Sequence, residues 1–239
     1  MRQPLSTTPS SSAVLPAPLD AICQFDTCTI ANAIERFGVR LRNEGFTRPG
    51  LECLTDEFAS LIGYAATFRV RSAEPPMTGP AFPDRTDWWS SIQHTATPRI
   101  AVFQDLDATH GQASIVGAVH AAILKAFGCV GVITNGAVRD RAEVATMQFP
   151  IFAPSTAVSH AYSHIVEHGS PVEILGLRVC AGDLLYADCH GVISIPREIA
   201  HEVPAVAERI RDHERRIIDL CRSPEFSPEK LLEAVRSKD

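Results

Sequence analysis

The amino-acid sequence predicts a single α/β domain, and three observations support that fold class. First, Cys129–Thr134 is a charge-free run rich in β-branched residues, which is typical of a buried strand. Second, similar runs such as residues 99–104 alternate with segments whose apolar residues recur at helical spacing. Third, a chain of 239 residues with 45% hydrophobic content can form one sizeable core.

The N-terminal part of the chain divides into a leader and a first helix. Residues 1–17 are rich in Ser, Thr and Pro and cannot bury enough apolar surface to fold alone. They predict a flexible leader, followed by a single domain at residues 18–239. Asp26 or Thr27 can cap the first helix, which Gly38 ends. The apolar face of this helix is expected to consist of Ile30, Ala33, Ile34 and Phe37.

The middle of the chain is predicted to form two strands and two helices. The expected strands are residues 61–70 and 99–104, both uncharged over most of their length and rich in apolar residues. A short helix is expected to begin at Asp87. A longer one is expected at residues 116–127, where Gly128 closes it.

The strand at residues 129–134 leads directly into a candidate binding site. It is followed by Asn135-Gly136, a dipeptide that tolerates positive φ and marks a tight turn. Residues 137–147 have helical spacing, so Arg139 and Asp140 are expected near a helix start, at the strand's carboxyl end, where open α/β folds bind ligands. Arg139 can clamp a carboxylate, and Asp140 can offer an oxygen to Mg²⁺. The same pair would also suit an ordinary solvated first turn.

The C-terminal half is predicted to contain strands, tight turns and helices in alternation. A short strand is expected at residues 148–153 and a helix at residues 155–167. Strands with tight turns at Gly182-Asp183 and His190-Gly191 are expected to follow. An amphipathic helix is expected at residues 197–220, interrupted by Pro204, and a short helix is expected to begin at Ser227.

Three histidines recur at intervals of four within this half. On a helix, His160, His164 and His168 would share one face and could imitate a zinc site. A zinc site needs a further ligand and groups that orient the histidines, and neither is evident in the sequence. We therefore favour a role in packing or subunit contact.

The seven cysteines are scattered, odd in number and free of any Cys-x-x-Cys pair. This pattern predicts free thiols in a reducing cytoplasm. Cys189-His190, beside Asp188, leaves open a Cys/His nucleophilic pair, although adjacent side chains in a turn rarely face each other.

Several classes of function lose support. The net charge is -6 and no Lys/Arg cluster occurs, which argues against a nucleic-acid partner. No window approaches the roughly 18 apolar residues of a membrane-spanning helix. The phosphate-binding Gly-x-Gly-x-x-Gly, the Walker loop and the Gly-x-Ser-x-Gly nucleophile elbow are all absent.

An ordered set of motifs resembles one protein family. The family unites class II 4-hydroxy-4-methyl-2-oxoglutarate/4-carboxy-4-hydroxy-2-oxoadipate aldolases with the regulator of ribonuclease E activity A. The similarity extends over nearly all of residues 20–220, and five segments carry it. They are Gly117–Gly128, Gly131–Asp140, Phe149–Ala153, Ala181–Asp183 and His190–Pro196.

The resemblance implies a phosphohistidine-domain-like fold, layered β/β/α, in a single domain with C-terminal helices. It also implies a homotrimer or hexamer with active sites between subunits. By similarity, Arg139 matches the arginine that binds the substrate carboxylate, and Asp140 matches the direct ligand of a divalent metal, Mg²⁺ or Mn²⁺. The pyruvoyl end would be held by Gly117, Ala118, Val119 and His120.

The reaction implied by the resemblance is metal-dependent cleavage of a 2-oxo-4-hydroxy acid to pyruvate and a second oxo acid, or decarboxylation of oxaloacetate. His120 would serve as acid/base or bind water, and a role on the helix surface is the open alternative. Asn135 stands where many relatives have Asp before the turn glycine. Glu214 is the candidate for the glutamate that some relatives bring from the C-terminal helix of a neighbouring subunit, and both residues would act outside the direct metal ligands. Ala118 stands where relatives commonly have Glu or Asp. This residue favours the alternative, a non-catalytic protein-binding regulator.

Overall fold

The helices and strands of this computed structural model lie within residues 17–55, 60–77 and 87–237, the part of the chain that the structure describes. The helices are α1 (Ala17–Ile22), α2 (Thr27–Glu35), α3 (Trp88–His94), α4 (Ala118–Ala126), α5 (Arg141–Thr146), α6 (Val203–Arg222) and α7 (Pro228–Arg236). The strands are β1 (Glu52–Cys53), β2 (Leu61–Arg71), β3 (Arg99–Asp105), β4 (Ser114–Val116), β5 (Cys129–Thr134), β6 (Ala137–Val138), β7 (Ile151–Ala153), β8 (Ser155–Thr156), β9 (His164–His168), β10 (Val172–Ile174), β11 (Leu177–Val179), β12 (Leu184–Asp188) and β13 (Gly191–Ile195). The predicted leader, except Ala17, lies outside the described residues.

The main sheet has eight strands in mixed orientation. Its order is β1-β7-β5-β3-β2-β12-β13, and β9 pairs with the second half of β2. The central strands β2, β3, β5 and β7 run parallel, whereas β1, β9, β12 and β13 pair antiparallel. All six residues of β5 are buried, as expected of a parallel strand covered on both faces.

A second, smaller sheet positions the candidate site. It contains β4, β6 and β8 in that order, and all three strands run parallel. Val116 pairs with Val138, and Val138 pairs with Thr156. The carboxyl ends of the three strands therefore meet at one edge of this sheet.

Helices cover the main sheet in two groups. Helices α3 and α4 pack over the parallel strands, where Trp88, Ile92 and Leu124 join one apolar cluster. Helices α1, α2 and α6 form another cluster with β12 and β13. In the part of the chain that the structure describes, no helix combines the length and the apolar content needed to cross a membrane.

Many predicted elements are confirmed. Strands occur over residues 61–71, 99–105 and 129–134, and α2 has its N-cap at Asp26, whose carboxylate accepts a hydrogen bond from the Thr29 amide at 2.7 Å. Ser227 caps α7 in the same way, since its hydroxyl accepts from the Lys230 amide. The chain is a mixed α/β domain with C-terminal helices. The phosphohistidine-domain likeness and its layer order stay predictions.

The helix predicted at residues 155–167 is wrong. This segment contains β8 and β9, and β9 pairs antiparallel with β2. Val166 and Ile165 are β-branched, and the edge of β2 offers backbone partners that local spacing does not reveal. His160, His164 and His168 therefore do not share the face of a helix.

Other predicted boundaries also differ from the structure. The helix expected at residues 197–220 spans residues 203–222, and Pro204 lies in its first turn instead of interrupting it, because proline suits the start of a helix. Residues 137–147 begin as the buried strand β6, so the helix spans only residues 141–146. The helix expected at residues 116–127 starts at Ala118, because Val116 belongs to β4. The strand expected at residues 148–153 covers only β7, which follows Pro150. Val116 and Val138 are β-branched residues that the local pattern assigned to helices. They pair with each other in the small sheet, although they lie far apart in sequence.

Candidate active site

The site lies where the three parallel strands of the small sheet end. Gly117 follows β4, Arg139 follows β6 and Ala157 follows β8. The Arg139 amide donates to the Val116 carbonyl at 2.9 Å, and the Ala157 amide donates to the Val138 carbonyl at 3.0 Å. These ladder bonds bring the starts of α4 and α5 together. Arg139 and Asp140 lie next to a helix start, as expected, but the strand they follow is β6 of the small sheet, so their predicted position at the carboxyl end of β5 is wrong.

Asp140 and the start of α4 are in direct contact. The Ala118 amide donates to Asp140 Oδ2 at 3.0 Å. Asp140 has a left-handed backbone (φ 59°), and its own carbonyl accepts from the Val144 amide as α5 begins. A Cβ atom added at Gly117 would lie 2.6 Å from Asp140 Oδ2. Only glycine at this position lets the carboxylate approach the backbone so closely.

Arg139 lies beside this carboxylate and faces solvent. Its Nε atom is 3.5 Å from Asp140 Oδ2, and both side chains are more than one third exposed. The two residues border an open depression of about 360 Å³. Its lining comes from the ends of β6 and β8 and consists of Arg139, Asp140, Arg141, Thr156, Ala157 and Val158.

His120 is a half-buried residue in the first turn of α4. Burial, then the nearby charges of Arg139 and His160, lower the pKa of His120 from 6.5 to about 4. The imidazole is therefore neutral at pH 7. His160 reaches this site from the segment between β8 and β9, which the sequence pattern wrongly assigned to a helix.

Asn135 is buried and supports the loop before the site. Its Oδ1 accepts from the Asp105 amide at 2.7 Å, and its Nδ2 donates to the Asp105 carbonyl at 3.2 Å. The Asp105 carboxylate in turn accepts from the amides of Asp107 and Gly111, both at 3.0 Å. In this chain, the Asn135 side chain therefore holds the end of β3 and the loop that leads to β4.

Glu214 is exposed on α6, which packs on α1, α2 and α7. Within one chain it is not part of the cluster formed by Gly117, His120, Arg139 and Asp140. Its predicted contribution from a neighbouring subunit stays a prediction.

The sequence model of the RraA-like family (Aldolase/RraA) matches residues 27–194. The matched span is well over half of the chain and contains the whole cluster around Asp140. This chain belongs to the aldolase/RraA family.

Curated relatives match over parts of this aldolase/RraA chain. An uncharacterised protein of Methanocaldococcus jannaschii is 32% identical over 38% of this chain and 44% of its own length. The Legionella pneumophila protein DlpA matches over only 15% of its own length, so the chain spans less than half of these two relatives. A Burkholderia multivorans protein, provisionally named 4-hydroxy-4-methyl-2-oxoglutarate aldolase, is 27% identical over 52% of this chain and 75% of its own length.

Solved structures share the fold of this aldolase/RraA chain. An uncharacterised protein of Pseudomonas syringae pv. tomato superposes with a TM-score of 0.69 at 21% identity, covering 98% of both chains. RraAS2 of Streptomyces coelicolor, described as an unusual member of the RNase ES inhibitor RraA protein family, has a TM-score of 0.63 at 20% identity. That alignment covers 86% of this chain and 96% of RraAS2. At these identities the likeness concerns the fold alone.

Proposed function

We propose that this protein is a divalent-metal-dependent lyase that cleaves a 2-oxo-4-hydroxy acid to pyruvate and a second oxo acid. Decarboxylation of oxaloacetate follows the same logic, because both reactions leave a pyruvate enolate. The observation that carries the proposal is the cluster in which Gly117 and the Ala118 amide hold the Asp140 carboxylate beside Arg139. Relatives provisionally named 4-hydroxy-4-methyl-2-oxoglutarate aldolase support the same reaction class.

The donor set at Asp140 fits Mg²⁺ or Mn²⁺. Its Oδ2 accepts from the Ala118 amide, whereas Oδ1 accepts no hydrogen bond from any described residue. The side chain is 38% exposed. Mg²⁺ commonly keeps several waters and takes one or two carboxylates, so one oriented, accessible carboxylate is a suitable ligand. Asp140 would hold the cation, which would supply Lewis-acid stabilisation of negative charge on the substrate's 2-oxo oxygen.

Arg139 and the start of α4 would orient the substrate. The guanidinium lies at the rim of the depression, where its planar set of donors can bind a substrate carboxylate in bidentate fashion. The first amides of α4, including that of Val119, have no acceptor within the helix and favour an anionic group. Together they would hold the pyruvoyl end with its 2-oxo carbon next to Asp140.

His120 would take the proton from the 4-hydroxyl group of the substrate. The imidazole is neutral at pH 7 and would accept the 4-hydroxyl proton, as a weak base because its pKa is lowered to about 4. Loss of that proton forms the new carbonyl, and the electron pair of the breaking C3–C4 bond moves to C3 as the enolate. Protonation of C3 then yields pyruvate.

We also propose a homotrimer or hexamer in which this site adjoins a second subunit. Val158 is 97% exposed at the rim of the depression, and Val119 is 69% exposed on the first turn of α4. Two such apolar side chains next to charged groups suit an interface. Glu214 of a neighbouring copy would complete the site. All seven cysteines are free thiols, which supports placement in the cytoplasm.

The test is pyruvate release from oxaloacetate and from 4-carboxy-4-hydroxy-2-oxoadipate, with Mg²⁺, Mn²⁺ or chelator. The metal-catalysed background is subtracted. We expect release that needs both protein and metal. Asp140→Asn should reduce it more than about 100-fold, since even partners outside the direct ligands commonly matter ten- to a hundredfold. Glu143→Gln, an exposed acid in the first turn of α5, is the matched control and should keep full activity.

A second candidate is a protein-binding regulator without catalytic activity. The observation that favours it is Ala118, which places a buried methyl group rather than a carboxylate beside Asp140. Absence of release with either metal, absence of heat on metal titration and a stoichiometric complex with a protein partner would establish this candidate instead.

A further inference from the structure

A second cluster of metal-ligating side chains lies in the tight turn between β12 and β13. Asp188 pairs with Gly191, so Cys189 and His190 form a two-residue connection. The ligand atoms of Asp188, Cys189 and His190 all lie within 4.8 Å of one another. Cys189 Sγ is 3.5 Å from His190 Nδ1, and that nitrogen is 3.3 Å from Asp188 Oδ1.

This geometry does not suit a nucleophilic triad. A relay through histidine needs the nucleophile on one ring nitrogen and the carboxylate on the other. Here Cys189 and Asp188 both face Nδ1. In addition, burial and then Asp188 raise the pKa of Cys189, so the thiol is not activated as a nucleophile. The nucleophilic pair that the sequence left open is therefore not favoured.

Two of the three distances between ligand atoms match the edges of a tetrahedral zinc site, and the third, between Cys189 and Asp188, is at most 4.8 Å. With Zn–S of about 2.3 Å and Zn–N and Zn–O of about 2.1 Å, the expected S···N and N···O separations are about 3.6 Å and 3.4 Å. The observed values are 3.5 Å and 3.3 Å. We propose that Asp188, Cys189 and His190 form a Zn²⁺ site, distinct from the site around Asp140.

The Asp188 carboxylate is positioned by three hydrogen bonds. Its Oδ2 accepts from the Thr27 amide at 2.7 Å, and its Oδ1 accepts from the Thr27 hydroxyl at 2.7 Å and from the His190 amide at 2.9 Å. Binding of Zn²⁺ to Oδ1 would displace the Thr27 hydroxyl, whereas both amide contacts would stay. These contacts fix the turn against the first residue of α2, and outer partners of this kind orient metal ligands.

Cys28 follows Thr27 on the same helical turn and faces the cluster. It lines a cavity of about 180 Å³ together with His190. A Zn²⁺ ion held by Asp188, Cys189 and His190 would lie next to this cavity. Its binding would release the Cys189 thiol proton to solvent and leave a thiolate ligand.

The test is titration of the full, tag-free chain with Zn²⁺ by calorimetry and with Co²⁺ by absorption spectroscopy. We expect one equivalent of Zn²⁺ and a thiolate-to-cobalt charge-transfer band. Cys189→Ser should abolish that band, and both Cys189→Ser and His190→Gln should weaken Zn²⁺ binding at least tenfold. The matched control is Cys221→Ser, an exposed cysteine on α6, which should bind Zn²⁺ as the parent does. Excess Mg²⁺ is present in every titration, so that the site around Asp140 is occupied.

The proposal fails if no stoichiometric Zn²⁺ binding occurs, or if Cys189→Ser and His190→Gln bind Zn²⁺ as the parent chain does. It also fails if the Co²⁺ complex lacks a thiolate band. Circular dichroism of each variant checks the fold, and Cys189→Ser, which changes only one partly exposed atom, serves if His190→Gln does not fold.

Discussion

At Gly117, the absence of a side chain determines where Asp140 can lie. An added Cβ atom would come within 3.0 Å of Arg139 Cγ and Nε as well as 2.6 Å from Asp140 Oδ2. The backbone itself is extended (φ -130°), so alanine would meet a steric obstacle but no backbone strain.

Gly117→Ala should therefore displace the carboxylate and lower metal-dependent pyruvate release by more than about tenfold, in line with the effect of disturbing groups that orient a metal ligand. Mg²⁺ titration and steady-state kinetics measure the change. Gly182→Ala is the control, because Gly182 has φ +86° and open space around it. That control should cost about 1 kcal/mol of stability and leave turnover unchanged. Full activity of Gly117→Ala would contradict the proposed geometry.

Titration of His120 should make the stability of the folded chain depend on pH. Its folded pKa of about 4 lies below the ordinary value of 6.5, so between these values the unfolded chain binds a proton that the folded chain does not. Stability is therefore lost as the pH falls from 6.5 to about 4, by roughly 1–3 kcal/mol. Urea unfolding across this range should reveal the slope.

The His120→Gln variant should have a flatter stability profile below pH 6.5, whereas His201→Gln, which removes an exposed histidine, should keep the parent slope. The neighbouring charges are Arg139 and His160. Identical slopes in the parent and His120→Gln would show that His120 titrates normally.

At the scale of elements, α2 and α7 have similar caps and different burial. Asp26 caps α2, whose Ile30, Ala33 and Ile34 are buried in the core. Ser227 caps α7, which has no buried residue. Loss of the first cap should therefore be felt by the whole domain, whereas loss of the second should be local.

We expect Asp26→Ala to lower the free energy of global unfolding by about 1 kcal/mol, the usual effect of losing an N-cap. Ser227→Ala should leave global unfolding within roughly 0.3 kcal/mol of the parent and speed amide exchange only in α7. Urea melts and hydrogen exchange measure the two effects. Equal losses in both variants would mean that α7 unfolds together with the core.

The incorrect helix at residues 155–167 illustrates the same dependence on surroundings. Arg69 of β2 donates to Glu167 of β9 across 98 positions in sequence, and Phe68 pairs with His168. A periodicity measured within the segment contains no information about that distant strand edge, so the local pattern favoured a helix.

At the scale of the whole molecule, the proposed assembly predicts a link between association and activity. Val158 is almost fully exposed in the single chain and borders the depression at Asp140. Val158→Asp should place a charge in the interface, dissociate the oligomer and reduce pyruvate release. Light scattering coupled to gel filtration measures the mass.

Leu41→Asp, at a residue 65% exposed in the loop after α2, is the control and should leave the oligomer mass and the pyruvate release unchanged. A parent chain that is monomeric and active would contradict the link.

The sequence by itself determined the buried strands at residues 61–71, 99–105 and 129–134, the cap of α2, and the placement of Arg139 and Asp140 beside a helix start. Each of these depends on apolar runs, caps and turn residues that act over a few positions. Only the tertiary structure decided the small sheet, the pairing of β9 and the approach of His160 to His120. Such contacts depend on which distant backbone lies alongside, and local sequence patterns do not contain that information.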